Sequence, residues 1–497
     1  MTMVGIVCVL GSDTAKTEAL LKTLRHRGSI ITVTSTAFVH NRDSNAITIG
    51  ICSQNNATDF LREQPRMAVV DSLFRIDNEQ LNALIEDLTS ESQDDIWASA
   101  AAFQFGTVVL VLDNDRLLCW RSPDGQRPLY VGSSGQSTIL ATEKKALWIA
   151  HSDDVKPVVP GEVLAIDMES ISRHGMMRYS ATRFTGTEEQ ALNMLETSLR
   201  QAIEYLVDTR CGVLFSGGVD SSLIAHIASK SVDDITLFSA STKSSRDHDH
   251  GPTAAEAIGV PLVEVDMTED LFWEHLPEVM YAIETTNRMD VEIAFPFFLA
   301  SQAAKKRGVD LMVSGQGPDE LFAGYAKHVK LFEEKGEAEV EAELRREVAV
   351  THESNISRDE RVIAMTGLST CFPYLYPRFA EVALTLPASW KLNPGKHPER
   401  KVIFRSLAAR FGLDAKLIYE PKKATQYSSG ASRLLTKAIA KNVHYCRNMS
   451  QREVDMVSQD VLAEIGARLG IPARKHISID FGVNLRPTAS FLKSRGF

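Results

Sequence analysis

Apolar positions along this chain fall into two regimes. Up to about residue 165 they form short runs, at 5–10, 67–70, 107–112 and 162–166, broken by turn signals such as Asp124-Gly125 and Pro160-Gly161. Runs of that length between Gly, Pro and Asp predict strands. Helices are expected near 16–24 and 78–88. The stretch 166–187 is polar and mixed and reads as a connection. Leu192, Leu195, Leu199 and Ile203 then recur at helical spacing and predict a helix over 188–207. Strands at 211–215, 235–239, 262–265 and 312–314 alternate with helices at 221–229 and 254–258. That βαβ rhythm implies a parallel sheet with helices on both faces. The expected fold class is therefore mixed, α+β in domain 1–165 and α/β in domain 188–497, with 166–187 as linker. The charge-dense run 332–350 predicts a solvated helix with Glu–Arg pairs, and the tail from about 450 reads as helical, then basic.

Composition narrows the function classes. A chain of 497 residues exceeds one ordinary domain. Its net charge of −10 argues against a phosphate-backbone binder, so no nucleic-acid partner is expected. No apolar run is long enough to span a bilayer. The start, Met1-Thr2-Met3-Val4, lacks a basic leader region, and a cytoplasmic location is expected. Six cysteines are scattered without a CxxC pair, which predicts reduced, buried thiols. The histidines of Asp247-His248-Asp249-His250 are expected in a polar loop.

The strongest chemical signal is Ser216-Gly217-Gly218-Val219-Asp220-Ser221-Ser222, placed after an apolar strand and opening a helix. Two glycines let the backbone approach an anion closely. Free N–H groups and the helix dipole favour negative charge there, and Ser216, Ser221 and Ser222 offer hydroxyls. Asp220 beside phosphates suits Mg²⁺. No Gly-Lys-Ser/Thr follows, so this is not a Walker A loop, nor does it have the GxGxxG dinucleotide pattern. The motif resembles the loop of the ATP-pyrophosphatase group, whose members cleave ATP between the α- and β-phosphates.

Most of the chain resembles class B asparagine synthetases. Ser314-Gly315-Gln316-Gly317-Pro318-Asp319-Glu320 through Tyr325 is similar to that family's second active-site signature, SGxGxDExFxGY. Ile283-Glu284-Thr285, Arg358-Asp359-Glu360-Arg361 and Lys401-Val402-Ile403-Phe404-Arg405 resemble further elements. Lys422-Lys423 resembles its basic closing loop. In the first domain Arg25-His26-Arg27-Gly28, Asp124 to Tyr130, Ala141 to Leu147 and Pro160-Gly161 follow the family's glutaminase domain in order. The resemblance implies an Ntn-hydrolase-like αββα sandwich followed by a doubly wound ATP-pyrophosphatase domain. It implies that Leu214, Ser216, Gly217, Gly218, Asp220, Ser221, Ser222, Ser239, Ser314, Gly315 and Lys401 hold ATP and pyrophosphate. Asp220 and Asp319 would hold Mg²⁺, and Lys423, Asp319 and Gln316 would be catalytic.

The pattern also breaks. The family's glutaminase cysteine precedes Gly-Ile, and here Val4 precedes Gly5-Ile6. Thr2 lies upstream of that position, Cys8 lies inside the strand, and the family's Asn-Gly reads Asp71-Ser72. Glutamine hydrolysis is therefore not expected. The main branch has Glu at Gln316, and its Glu, Arg and Asp are Ser369, Cys371 and Tyr376 here. The expectation is an ATP-dependent ligase that adenylates a small carboxylate, aspartate by default. It would take ammonia or an amine, with a separate ammonia source and a homodimer compatible with it. A related amide cyclase and a non-catalytic nucleotide-binding regulator stay open as alternatives.

Overall fold

Strands apolar on both faces must be covered twice, and the first strand shows how. β1 (Val4–Leu10) is buried along its whole length. Alternation sends Val4, Ile6, Cys8 and Leu10 one way and Val7 and Val9 the other. The first set joins a core shared by two sheets. The second meets Leu20, Leu21 and Leu24 from the helix Thr14–Leu21 and the 3₁₀ turn Lys22–Leu24. The computed structural model describes residues 3–495 apart from 12, 41–42, 55–60, 63–66, 75–77, 90–104, 114, 136, 168, 177–178, 180–181, 207–208, 421–423, 474 and 476–478.

The remaining strands of this half are β2 (Ile30–His40), β3 (Asp43–Ser53), β4 (Leu61–Arg62), β5 (Met67–Ser72), β6 (Thr107–Asp113), β7 (Arg116–Arg121), β8 (Tyr130–Ser134), β9 (Ser137–Ala141), β10 (Asp153–Pro157), β11 (Glu162–Ile166) and β12 (Ile171–Met176). They form two antiparallel sheets, ordered β10-β8-β9-β1-β3-β2 and β12-β11-β7-β6-β5-β4. The outer face of the second is covered by the helix Asn78–Thr89 through Leu81, Leu84, Ile85 and Leu88. The layers thus run helix, sheet, sheet, helix. Part of 166–187, expected as a connection, pairs as β12 on β11.

In the second half β13 (Cys211–Leu214), β14 (Ile235–Ser241), β15 (Leu262–Asp266), β16 (Leu311–Val313) and β17 (Ser369–Cys371) form a parallel sheet ordered β15-β14-β13-β16-β17. Alternation again feeds two cores. Val213 and Leu311 belong to one, and Leu214, Phe238 and Met312 to the other. The chain steps outward from β13 to β15, then returns to build β16 and β17 on the opposite side. Strand order therefore reverses between β13 and β16, where the loops leaving the carboxyl ends diverge and open a crevice.

Two expectations are corrected here. The helix expected at 254–258 runs Arg246–Ile258, so Asp247 to His250 are its first turns rather than a loop. Ser245 caps it by accepting the His248 N–H at 3.4 Å, and acidic residues suit that end. The charged run is two helices, Ala326–Lys335 and Glu337–Thr351, broken at Gly336 with φ of +84°. Among the described residues no helix is long and apolar enough to cross a membrane.

One close approach fixes how the turn after the 3₁₀ segment meets β3. A Cβ at Gly28 would lie 2.0 Å from the Ser53 carbonyl carbon. Backbone cannot give way as a side-chain tip can. Gly28→Ala is expected to destabilise the protein by about 3 kcal/mol or more, read as a lowered urea midpoint against the parent chain.

Candidate active site

Leu214 ends β13, and the chain turns through 216–218 into the helix Val219–Ala228. Gly217 takes φ of +73°, a conformation that costs other residues energy. Gly218 occupies the helix N-cap without a side-chain cap, so the first N–H groups of the helix have no internal partner. Ser216 Oγ accepts the Gly218 N–H at 3.4 Å and lies 3.3 Å from Ser221 Oγ. Tyr374 donates its hydroxyl to the Asp220 carbonyl at 2.9 Å. The result is a curled loop with open N–H groups, fit for an anion.

The loop after β16 packs against it. A Cβ at Gly315 would sit 2.9 Å from the Ser221 nitrogen, so only glycine permits this contact. Asp319, in the short helix Pro318–Leu321, then reaches the same crevice. Between the two loops stands Lys401. Its Nζ lies 2.7 Å from both carboxylate oxygens of Asp220 and 2.9 Å from Asp319 Oδ1. Burial lowers the Lys401 pKa, and the Asp220 charge opposes that shift. Lys401 itself has φ of +58°, an uncommon conformation for a side-chain-bearing residue, at the head of the helix Val402–Arg410. Gly324 makes room for the trio, since a Cβ there would lie 1.9 Å from Asp319 Oδ1 and 2.5 Å from Lys401 Cε.

Two carboxylates converging on one positive charge are a hard donor set. They fit Mg²⁺, with phosphate oxygens and water completing its shell. Among the described residues no group of three or more His, Cys, Asp or Glu side chains forms a metal cage. Such a site suits a cation that arrives with a phosphate ligand.

Leu214, Ser216, Gly217, Gly218, Asp220, Ser221, Ser239, Ser314, Gly315, Gln316, Asp319 and Lys401 all line one cavity. Ser222 does not. It is fully buried, because one further residue along the helix turns it towards the core. Asp319 and Glu320 also part company. Glu320 accepts from the Tyr325 hydroxyl at 2.5 Å and from Asn355 Nδ2 at 2.9 Å, and burial raises its pKa. It props the loop from behind and is no candidate ligand. Gln316 donates its Nε2 to Asp359 Oδ2 at 2.9 Å. Lys422 and Lys423 lie outside the described residues.

Several lining residues were not named as site residues from the sequence. Arg246 pairs with Glu420, which also lies 3.7 Å from His250 Nδ1. Arg400 Nη1 donates to the Gly324 carbonyl at 2.7 Å, and Arg405 Nη1 to the Ile418 carbonyl at 2.6 Å. Arg405 stands one helical turn after Lys401, a spacing that offered a signal. Glu420 offered none.

The first domain has a different interior. Val4 is fully buried at the start of β1, and burial pushes the Cys8 thiol far up. Asp71 is buried with its pKa raised, 3.7 Å from Arg127 Nε. Thr2 lies outside the described residues.

A family model described as asparagine synthase matches residues 194–335 and 327–465. A Methanocaldococcus jannaschii protein assigned as a glutamine-hydrolysing asparagine synthetase is 27% identical over 438 residues, 78% of this chain and 79% of that protein. Asparagine synthetase [glutamine-hydrolyzing] 3 of Arabidopsis thaliana is 27% identical over 303 residues, 58% of this chain and 51% of the relative. The Escherichia coli asparagine synthetase B [glutamine-hydrolyzing] is 25% identical over 373 residues, 71% of this chain and 65% of the relative. The family match covers the crevice and the residues that line it, and this chain belongs to the asparagine synthase family.

Proposed function

We propose that this protein is an ATP-dependent, AMP-forming carbon–nitrogen ligase that activates a small carboxylate, aspartate by default. The observation that carries this reading is the convergence of Asp220 and Asp319 on one positive charge, beside an uncapped helix N-terminus at the reversal of strand order. A substrate carboxylate oxygen attacks the α-phosphorus of ATP, and pyrophosphate leaves with the P–O bond electrons. Ammonia or an amine then attacks the acyl carbon, AMP departs, and the nitrogen loses a proton to solvent.

The residues divide the work. N–H groups of 216–221 and the Ser216 and Ser221 hydroxyls hold the pyrophosphate portion. Asp220 and Asp319 would hold Mg²⁺, which would supply charge neutralisation for the phosphates. Lys401, released from its paired carboxylates, faces charge developing on the leaving group. Lys423, three residues after Glu420 in the sequence, is assigned the same duty. Gln316, neutral and fixed by Asp359, borders the acyl end. We assign 1–165 as a degenerate Ntn-type glutaminase domain, 166–187 as the connection and 188–497 as the ATP-pyrophosphatase domain. Val4 supports ammonia over glutamine as nitrogen source, since a buried valine offers no nucleophile. The reading is of a cytoplasmic enzyme supplied with ammonia from elsewhere, and it accommodates a homodimer.

ATP–pyrophosphate exchange with Mg²⁺ and a panel of carboxylates tests the core of this reading. Exchange is expected to depend on one acid and to fall at least about 10²-fold in Asp220→Ala. Absence of exchange with every acid, in a folded chain that binds ATP, would count against adenylation. A second expectation concerns space: Gly324→Ala should fold yet lose exchange, because the new methyl displaces Asp319 and Lys401. With the acid identified, labelled ammonium should enter product while glutamine releases no glutamate, and glutamate release would overturn the nitrogen assignment.

A further inference from the structure

One helix places four charges in succession out of solvent. In Asn355–Ala364, Arg358, Asp359, Glu360 and Arg361 are 3%, 0%, 1% and 4% exposed. Charged residues are rarely so buried unless each is paired, and here the pairing runs in two directions. Asp359 faces the loop after β16, behind the crevice wall. It accepts from Gln316 Nε2 at 2.9 Å and from Arg358 Nε at 2.8 Å, and Arg358 reaches Asp290 at 3.3 Å. Glu360 and Arg361 face the first domain.

Glu360 takes a two-pronged contact from Arg27, Nη1 to Oε1 and Nη2 to Oε2, both at 2.8 Å. Arg27 is itself fully buried, and its Nε donates to Glu143 Oε1 at 2.5 Å. His26 Nε2 lies 2.7 Å from the same oxygen, and Lys145 pairs with Glu143 as well. Arg361 pairs with Glu284, whose other oxygen accepts the Lys145 backbone N–H at 2.7 Å. Both domains thus grip the same turn of one helix.

Buried ion pairs add little net stability compared with apolar packing of the same shape, because desolvation offsets the attraction. What they fix is geometry. A guanidinium fork on a carboxylate sets both distance and plane. The carboxylate so fixed belongs to the residue next to Asp359, within a rigid helical turn. Gln316, by contrast, sits between Gly315 and Gly317, the latter at φ of +119°. A loop so rich in glycine has little conformational preference of its own. Its lining side chain takes its direction from Asp359.

We infer that the first domain acts on the crevice as a positioning device, with Arg27 a positioning residue that sets Gln316 through Glu360 and Asp359. The claim about geometry stands on the contacts alone; its effect on turnover rests on the ligase reading. A domain without a nucleophile at Val4 then still has a use.

The test uses the full chain carrying Arg27→Gln or Arg27→Lys, with Lys156→Gln in an exposed ion pair of the same domain as control. Lysine keeps the charge but cannot form the fork, so it preserves the test if glutamine prevents folding. Hydrogen–deuterium exchange is read first. Amides of 311–324 and 355–364 should exchange about tenfold faster in the Arg27 variants, with 216–228 and the Lys156 control unchanged. In ATP–pyrophosphate exchange, KM for the acid should rise or kcat fall while KM for ATP stays put. Combination with Gln316→Leu should add nothing further. Faster exchange confined to the first domain, or spread evenly over the chain, would overturn the inference. A parent chain inactive with every acid would sink the ligase reading alone, since the amide exchange pattern still decides the positioning claim.

Discussion

A parallel sheet that is extended first on one side and then on the other must part its two central loops. That geometric constraint fixes where this molecule can bind anything small. β13 and β16 are adjacent and parallel, yet the chain leaves them in opposite directions. The glycine-rich segment after β13 and the Gly315 segment after β16 therefore face each other across one gap. The close approach of Gly315 to the Ser221 backbone holds the two loops together at one side of that gap. Neither loop alone makes a site. Asp220 comes from one, Asp319 from the other, and Lys401 from a third segment over eighty residues further on.

Lys401 shows how the pocket tolerates its own charges. Two carboxylates facing one another without a cation would repel, and burial would favour protonating one of them. A buried ammonium between them removes that penalty and is held there at a backbone cost, its φ lying in the left-handed region. The same residue is then the natural group to exchange partners when a phosphate and its metal enter. With Mg²⁺ and phosphate bound, Asp220 and Asp319 would hold the metal and Lys401 would be free to pair with phosphate.

Much of this was legible in the chain. The apolar runs located β1, β5, β6 and β11 in the first half and β13 to β16 in the second, because a short apolar run stands out between turn residues, whereas β2 to β4, β7 to β10, β12 and β17 were not read from the pattern. The motif at 216–222 located the anion loop because its residue types are needed for backbone reasons, which leave a mark on sequence. Less visible were the directions of single side chains. Ser221 and Ser222 are chemically identical, and only the helical rotation separates the one in the cavity from the one in the core. Asp319 and Glu320 differ for the same reason. The start of the helix at Arg246 was hidden by polar residues that look like a loop but suit a helix N-terminus. Gly336 was overlooked inside a run whose charges all favour helix. Contacts such as Glu420 with Arg246 depend on tertiary approach and leave no local signal.

The first domain raises a question of economy that the charges answer. Its core would fold as well around apolar residues as around Arg27, Glu143 and Lys145, and apolar packing carries no desolvation penalty. What these groups add over apolar packing is a fixed direction. Their directions converge on Glu360 and Glu284, outside the domain. Cutting one partner from such a network strands the rest in a medium that solvates them poorly. The network therefore behaves as a unit, and a unit that spans two domains couples their placement more tightly than apolar contact would. Apolar faces slide over one another at little cost, whereas a two-pronged ion pair out of water does not.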